Sequence, residues 1–179
     1  TTAQQDAKII KNGSLSLKVT DVQAIVQSIE MLTNQKGGRV DSSYIDNIVE
    51  TPAPMPIDGS PAKETTTQIA NMTIKVPAAH FEDVFKQIGE MGLLVNQNTS
   101  TVDVTYQYTD TQARVDNLKV QEQHLQEIMA KAVNVKEILE VETELNRVRT
   151  DIDILTRDLK NWDQQVDYSS IYINLTEIK

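Results

Sequence analysis

Apolar residues recur at alternating steps of three and four over the last third of the chain. Ile138, Val141, Leu145, Val148, Ile152, Leu155, Leu159, Trp162 and Val166 form this stripe. It holds for about four heptads, the pattern of helices packed along one seam. The positions between are polar, among them Glu140, Glu144, Arg147, Arg149, Asp153 and Lys160, and neither proline nor glycine interrupts them. Upstream, Val115, Leu118, Leu125, Met129 and Ala132 keep the same spacing, with Glu122 as a polar break. The pattern predicts two helical arms. Thr109 or Asp110 can cap the first. The reversal falls at Ala132-Val133-Asn134-Val135, where Asn tolerates a left-handed turn conformation. Each arm has about 24 or more residues, hence roughly 36 Å or more of length. Closing so short a connection costs little, so the arms are expected to fold on each other. Ile128, Leu139 and Ile154 fall beside the stripe rather than on it. They either widen the seam or, with Asn134 at the tip, mark a face for a partner.

Before the arms the period changes. Leu15, Leu17 and Val19 alternate as in a half-buried strand over residues 9–19. Thr20 with Gln23 resembles a capping box, and Val22, Ile25, Val26, Ile29 and Leu32 give a helical stripe that ends at Gly37-Gly38. A second strand reads over 40–49 and a third over 69–76. Between them, 50–66 holds four of the five prolines and reads as a mobile loop. Pro77 suits a helix start, and Phe81, Val84, Phe85, Ile88 and Met91 form an inner helical face stopped by Gly92. Residues 93–108 read as a long Thr-rich strand, and Ile171, Ile173 and Leu175 alternate in a last strand over 168–178. The expected fold is therefore α+β. Residues 8–108 with 168–178 make a ferredoxin-like split βαβ body, whose mainly antiparallel sheet of about five strands places the last strand beside the fourth. A projecting antiparallel helical hairpin, a coiled coil over 109–167, is inserted before the last strand.

Charge and composition narrow the chemistry. The net charge of −9 argues against nucleic acid or an anionic membrane as the main partner, since both need a basic face. Eight Lys and Arg face thirteen Asp and Glu within 110–167, so the acidity is spread along the chain rather than gathered in a tail. There is no cysteine, which excludes disulfides and thiolate metal sites and fits an extracytoplasmic protein. Aromatics are 4 % of residues, too few to favour a large aromatic-lined cavity. No run approaches eighteen apolar residues, the length that would read as a membrane span. The chain begins Thr1-Thr2-Ala3, which suggests processing, with any signal sequence or anchor outside this stretch.

Candidate sites are few. His80 and His124 are the only histidines; they fall on different elements with no cysteine nearby, and metal or catalytic sites need convergent groups. Asp151 and Asp153 lie two apart on a helix, so they point in different directions, and the loop and glycine of a calcium site are missing. Gly37-Gly38 leads into a strand, not a helix, and cannot aim helix-terminal N–H groups at phosphate. Four matches to the glycosylation pattern, at Asn12, Asn71, Asn98 and Asn174, fall in strand-like, Thr-rich stretches whose composition accounts for them. Catalytic, metal and cofactor-binding residues are all expected to be absent.

The stretches KNGSLSLKV, VPAAHF and YTDTQARVDNL, in this order, resemble the bacterial domain of unknown function 4349, and the similarity runs over about residues 8–177. The resemblance implies a domain held outside the cytoplasm in a secreted lipoprotein or membrane-anchored protein. An apolar anchor often follows the last strand, and some architectures resemble anti-sigma factors. It carries no site residues. The expected function is a non-enzymatic extracytoplasmic interaction module in which the hairpin binds a partner protein or self-associates. The alternative is a sensor whose α/β body binds an envelope molecule or cell-wall fragment and signals through an adjacent anchor.

Overall fold

A computed structural model describes residues 6–50 and 65–178. Its elements are β1 (Ile9–Val19), α1 (Val22–Gln35), β2 (Arg39–Glu50), β3 (Thr65–Pro77), α2 (Phe81–Gly89), β4 (Leu93–Asp103), α3 (Thr105–Lys131), α4 (Val135–Asp167) and β5 (Tyr168–Glu177), with a short 3-10 turn at Ala78–His80 before α2. The expected loop over 50–66 lies outside the described residues except at its ends. By its contacts the chain divides into two compact units, Thr1–Ile10 with Val102–Val166, and Lys11–Thr101 with Asp167–Lys179.

The second unit is built on a five-stranded sheet in the order β2-β3-β5-β1-β4. The alternation read in the sequence is the alternation of burial. Leu15 and Leu17 of β1 sit beside Ile173 and Leu175 of β5, which sit beside Met72 and Ala70 of β3. These rows are buried together with Val22, Val26, Ile29 and Leu32 of α1 and Phe81, Val84, Phe85 and Ile88 of α2. Gly13 opens the next row, beside Ile171. A Cβ there would stand 2.5 Å from Phe85 Cε2 and 2.9 Å from Phe81 Cζ, so the missing side chain makes room for two stacked rings whose centroids are 5.3 Å apart. Gly37 ends α1 at φ 74°, a conformation that favours glycine. Gly38 serves a different need, since a Cβ on it would meet the Lys75 carbonyl oxygen at 2.4 Å.

The expected placement of the last strand is corrected. β5 does not lie antiparallel beside β4; it runs between β3 and β1, antiparallel to the first and parallel to the second. The sheet is therefore mixed. Burial gives the reason. Every second residue of β5 from Ser169 to Leu175 is buried, whereas all eleven residues of β4 are exposed. A strand with a full apolar face gains most at the centre, and one without it is left to the edge.

Three local expectations are also corrected. α3 begins at Thr105, not Thr109, so β4 stops at Asp103. Thr105 and Tyr106 have strand-like propensity, but Val104 is buried and Tyr108 packs on Trp162; tertiary contacts override propensity. The first amide of α3 donates to Asp103 Oδ1 at 2.9 Å. Thr109 bonds back to the Thr105 carbonyl, and Asp110 pairs with Arg114 at 3.0 Å, so neither caps. α1 is capped by Asp21, whose side chain accepts from the Ala24 amide, rather than by Thr20. Among the described residues no non-glycine has positive φ, so Asn134 is not a left-handed turn residue. It is the cap of α4: its Oδ1 accepts from the Glu137 amide at 2.9 Å, and Glu137 reaches back to the Val133 amide at 3.3 Å. The Asn-x-x-Glu signature of a capping box stands in the sequence at 134–137.

Candidate functional site

Burial along α3 and α4 follows the three-four stripe. On α3, Val115 is buried and Leu118, Leu125 and Met129 are half-buried. On α4, Leu145, Val148 and Leu159 are buried, Val141, Ile152, Leu155 and Trp162 are half-buried, and Ile138 near the turn is exposed. Glu122, the polar break in the α3 stripe, is answered from the other helix by Arg149, whose Nε lies 2.7 Å from Glu122 Oε1. Nearer the far ends, the rings of Tyr108 and Trp162 stand 6.4 Å apart. Partner numbers thus fall along α4 as they rise along α3.

A polar knot closes the end away from the turn. Lys8 Nζ bonds Asp163 Oδ1 at 2.8 Å, Tyr108 donates to Asp163 Oδ2 at 3.0 Å, and Lys8 Nζ lies 4.4 Å from the Tyr108 ring. The Lys8 amide donates to Thr105 Oγ1, and the Val104 amide donates to the Lys8 carbonyl. The hydrogen bond from Lys8, with that from Tyr108, holds the Asp163 carboxyl below the usual carboxylate range against the opposing effect of burial.

Two apolar grooves run on the surface of this helical unit. One of about 390 Å³ is lined by Arg114, Asn117, Leu118, Asp151, Ile154 and Leu155. The other, about 270 Å³ near the turn, is lined by Ile128, Lys131, Ala132, Glu137, Glu140 and Val141. Ile154 and Ile128 therefore each border a groove, with 45 % and 53 % of their surface exposed. Leu139 is 56 % exposed and lines neither. Asn134 sits at the turn between Val133 and Val135, which are 91 % and 72 % exposed. These two valines were missed by the stripe because they lie outside both periodic runs; the signal for them is a pair of β-branched residues flanking a helix cap. Each groove joins an apolar floor to side chains of both charges at its rim.

The remaining candidates do not converge. His80 belongs to the 3-10 turn before α2 and His124 to the exposed side of α3. Asp151 pairs with Arg147 at 3.0 Å, and Asp153 is exposed. Among the described residues, no three His, Asp or Glu side chains gather as a metal-holding group, and no helix is long and apolar enough to cross a membrane.

The class defined by these features is a mixed α/β domain carrying a long helical pair with exposed apolar grooves. Residues 7–179 match the model of the family described as a domain of unknown function, DUF4349, and the chain belongs to that family. No curated protein and no solved structure matches it.

Proposed function

We propose that this domain is a non-enzymatic interaction module, held outside the cytoplasm in a lipoprotein or membrane-anchored protein, and that α3 and α4 form its contact surface. On this reading the two helices are an antiparallel coiled-coil hairpin, and the sheet is a ferredoxin-like split βαβ frame in which β5 is inserted between β1 and β3. The observation that carries the functional reading is the pair of grooves bordered by Ile128 and Ile154. Isoleucines about half exposed, each beside half-buried stripe residues, are placed to take the apolar side of a partner helix, the helix-in-groove mode. Covering what remains exposed of each contributes on the order of 1 kcal/mol, from the roughly 1.5–3 kcal/mol of full burial. The doubly substituted Ile128→Asp, Ile154→Asp protein should fold with an unchanged melting temperature and lose partner capture in cells. Retained capture by that folded protein would show that the contact lies elsewhere.

A second reading, sensing of an envelope molecule by the α/β body, is favoured by one observation. The sheet face opposite the core has a groove of about 210 Å³ bordered by Ser14, Ser16, Asn71, Thr73, Tyr172 and Asn174, with Asn174 donating to Asn71 at 2.7 Å. Neutral hydroxyls and amides beside a half-exposed tyrosine suit an uncharged sugar, which offers hydroxyls and an apolar ring face. Soluble cell-wall glycan fragments should then raise the melting temperature, and Tyr172→Ala should abolish the rise. No rise with any fragment removes this reading.

A further inference from the structure

The two edges of the sheet are built differently. β2, at one edge, carries Arg39, Asp41 and Asp46 and a register shift between Val40 and Ser42. Asp41 there is paired with both Arg39 and Lys75. Charges and an irregularity are the devices that keep an edge from pairing with another chain. β4, at the other edge, carries a single charge, Asp103, at its last residue. Its first ten residues, Leu-Leu-Val-Asn-Gln-Asn-Thr-Ser-Thr-Val, hold no charge, no proline and no glycine. All are exposed, including Leu93 at 63 % and Val102 at 49 %. Among the described residues only β1 neighbours it.

The polarity of β4 is also nearly the same in both directions. Counting outward from Asn98, Gln97 matches Thr99, Asn96 matches Ser100, Val95 matches Thr101, and Leu94 matches Val102. Two copies laid antiparallel about Asn98 would set Leu94 against Val102 next to each end, β-branched against β-branched after that, and amide or hydroxyl side chains in the middle. The one acid, Asp103, would face Leu93 rather than a second Asp103. Cross-strand neighbours of this kind stabilise a pair, and like charges directly opposite do the reverse. A twofold interface needs a surface complementary to itself, a demand that an unrelated partner strand would not impose. The chain is acidic, at −9, and β4 is a stretch where a second copy brings no carboxylates together.

We propose that two copies of this domain associate through their β4 edges, antiparallel about a twofold axis at Asn98, so that the two sheets become one. The contact uses none of the residues that line the grooves of α3 and α4. The test is sedimentation equilibrium on the full chain, whose monomer is 20.1 kDa, over a range of concentrations. Wild type should approach twice that mass. Asn98→Lys and Asn98→Asp each put like charges at the axis, and each should remain a folded monomer with the wild-type circular dichroism spectrum. Mixing the two variants should restore a dimer containing one of each, whereas Ile128→Asp with Ile154→Asp should leave the wild-type dimer intact. A wild type that stays monomeric, single variants that still dimerise, or a mixture that fails to recover the dimer would each overturn the proposal.

Discussion

Gly13 shows how one missing side chain is coupled to the core. Its position in β1 faces the stacked rings of Phe81 and Phe85, and Phe81 is fully buried. Gly13→Ala should therefore cost about 1–3 kcal/mol, the usual range for overpacking a tight interior, and a urea titration monitored by circular dichroism reads it. A cost near zero would mean that the rings shift freely. Ser169 is the opposite case. It is buried, and its hydroxyl has no partner among the described residues. A buried hydroxyl without a hydrogen bond is a cost to folding, so Ser169→Ala should be neutral or stabilising by up to about 1 kcal/mol in the same titration. Neither effect is legible in the sequence. Both fall inside stretches that read there simply as strands, over 9–19 and 168–178, because the packing of each depends on what the other elements bring against it.

The elements themselves were legible in proportion to their periodicity. The stripe from Val141 to Trp162 and the alternation in β1 and β5 depend on which residues must leave water, and that is written locally. Where α3 starts was not, because Thr105 to Tyr108 are helical through packing of Val104 and Tyr108 rather than through propensity. The order of strands was not legible either, since alternation gives a strand its inner face but not its neighbours. Within the helical pair, Leu145 is 5 % exposed. Leu145→Asp should cost at least about 3 kcal/mol by placing a carboxylate in an apolar seam; an unmoved thermal melt would contradict the packing of α4. Asp163 makes the pair sensitive to acid. Its folded pKa lies below the unfolded one, so its contribution is complete above the ordinary aspartate value of about 3.9 and drains away as pH falls through the lower folded value. Wild type should thus lose stability below about pH 4 relative to Asp163→Asn. At neutral pH the variant should be less stable by no more than about 1 kcal/mol, because the side chain is 41 % exposed and solvent screens the pair. Parallel acid titrations of the two proteins would contradict the role of the Lys8–Asp163 pair.

At the scale of the molecule, the candidate contact was partly written in the sequence. Ile128, Leu139 and Ile154 stand out as apolar residues off the stripe, and the structure leaves all three exposed. That Ile128 and Ile154 border grooves, and Leu139 neither of them, depends on the other helix and has no local signature. The central claim is that α3 and α4 are the surface that meets a partner. The most direct measurement is photocrosslinking in living cells from a photoreactive residue at Asn134, in the full-length protein, with and without Ile128→Asp and Ile154→Asp. The account predicts one dominant crosslinked protein, lost when the two isoleucines are replaced while the domain remains folded. A crosslink unaffected by the replacements, or none from Asn134 at all, would contradict it.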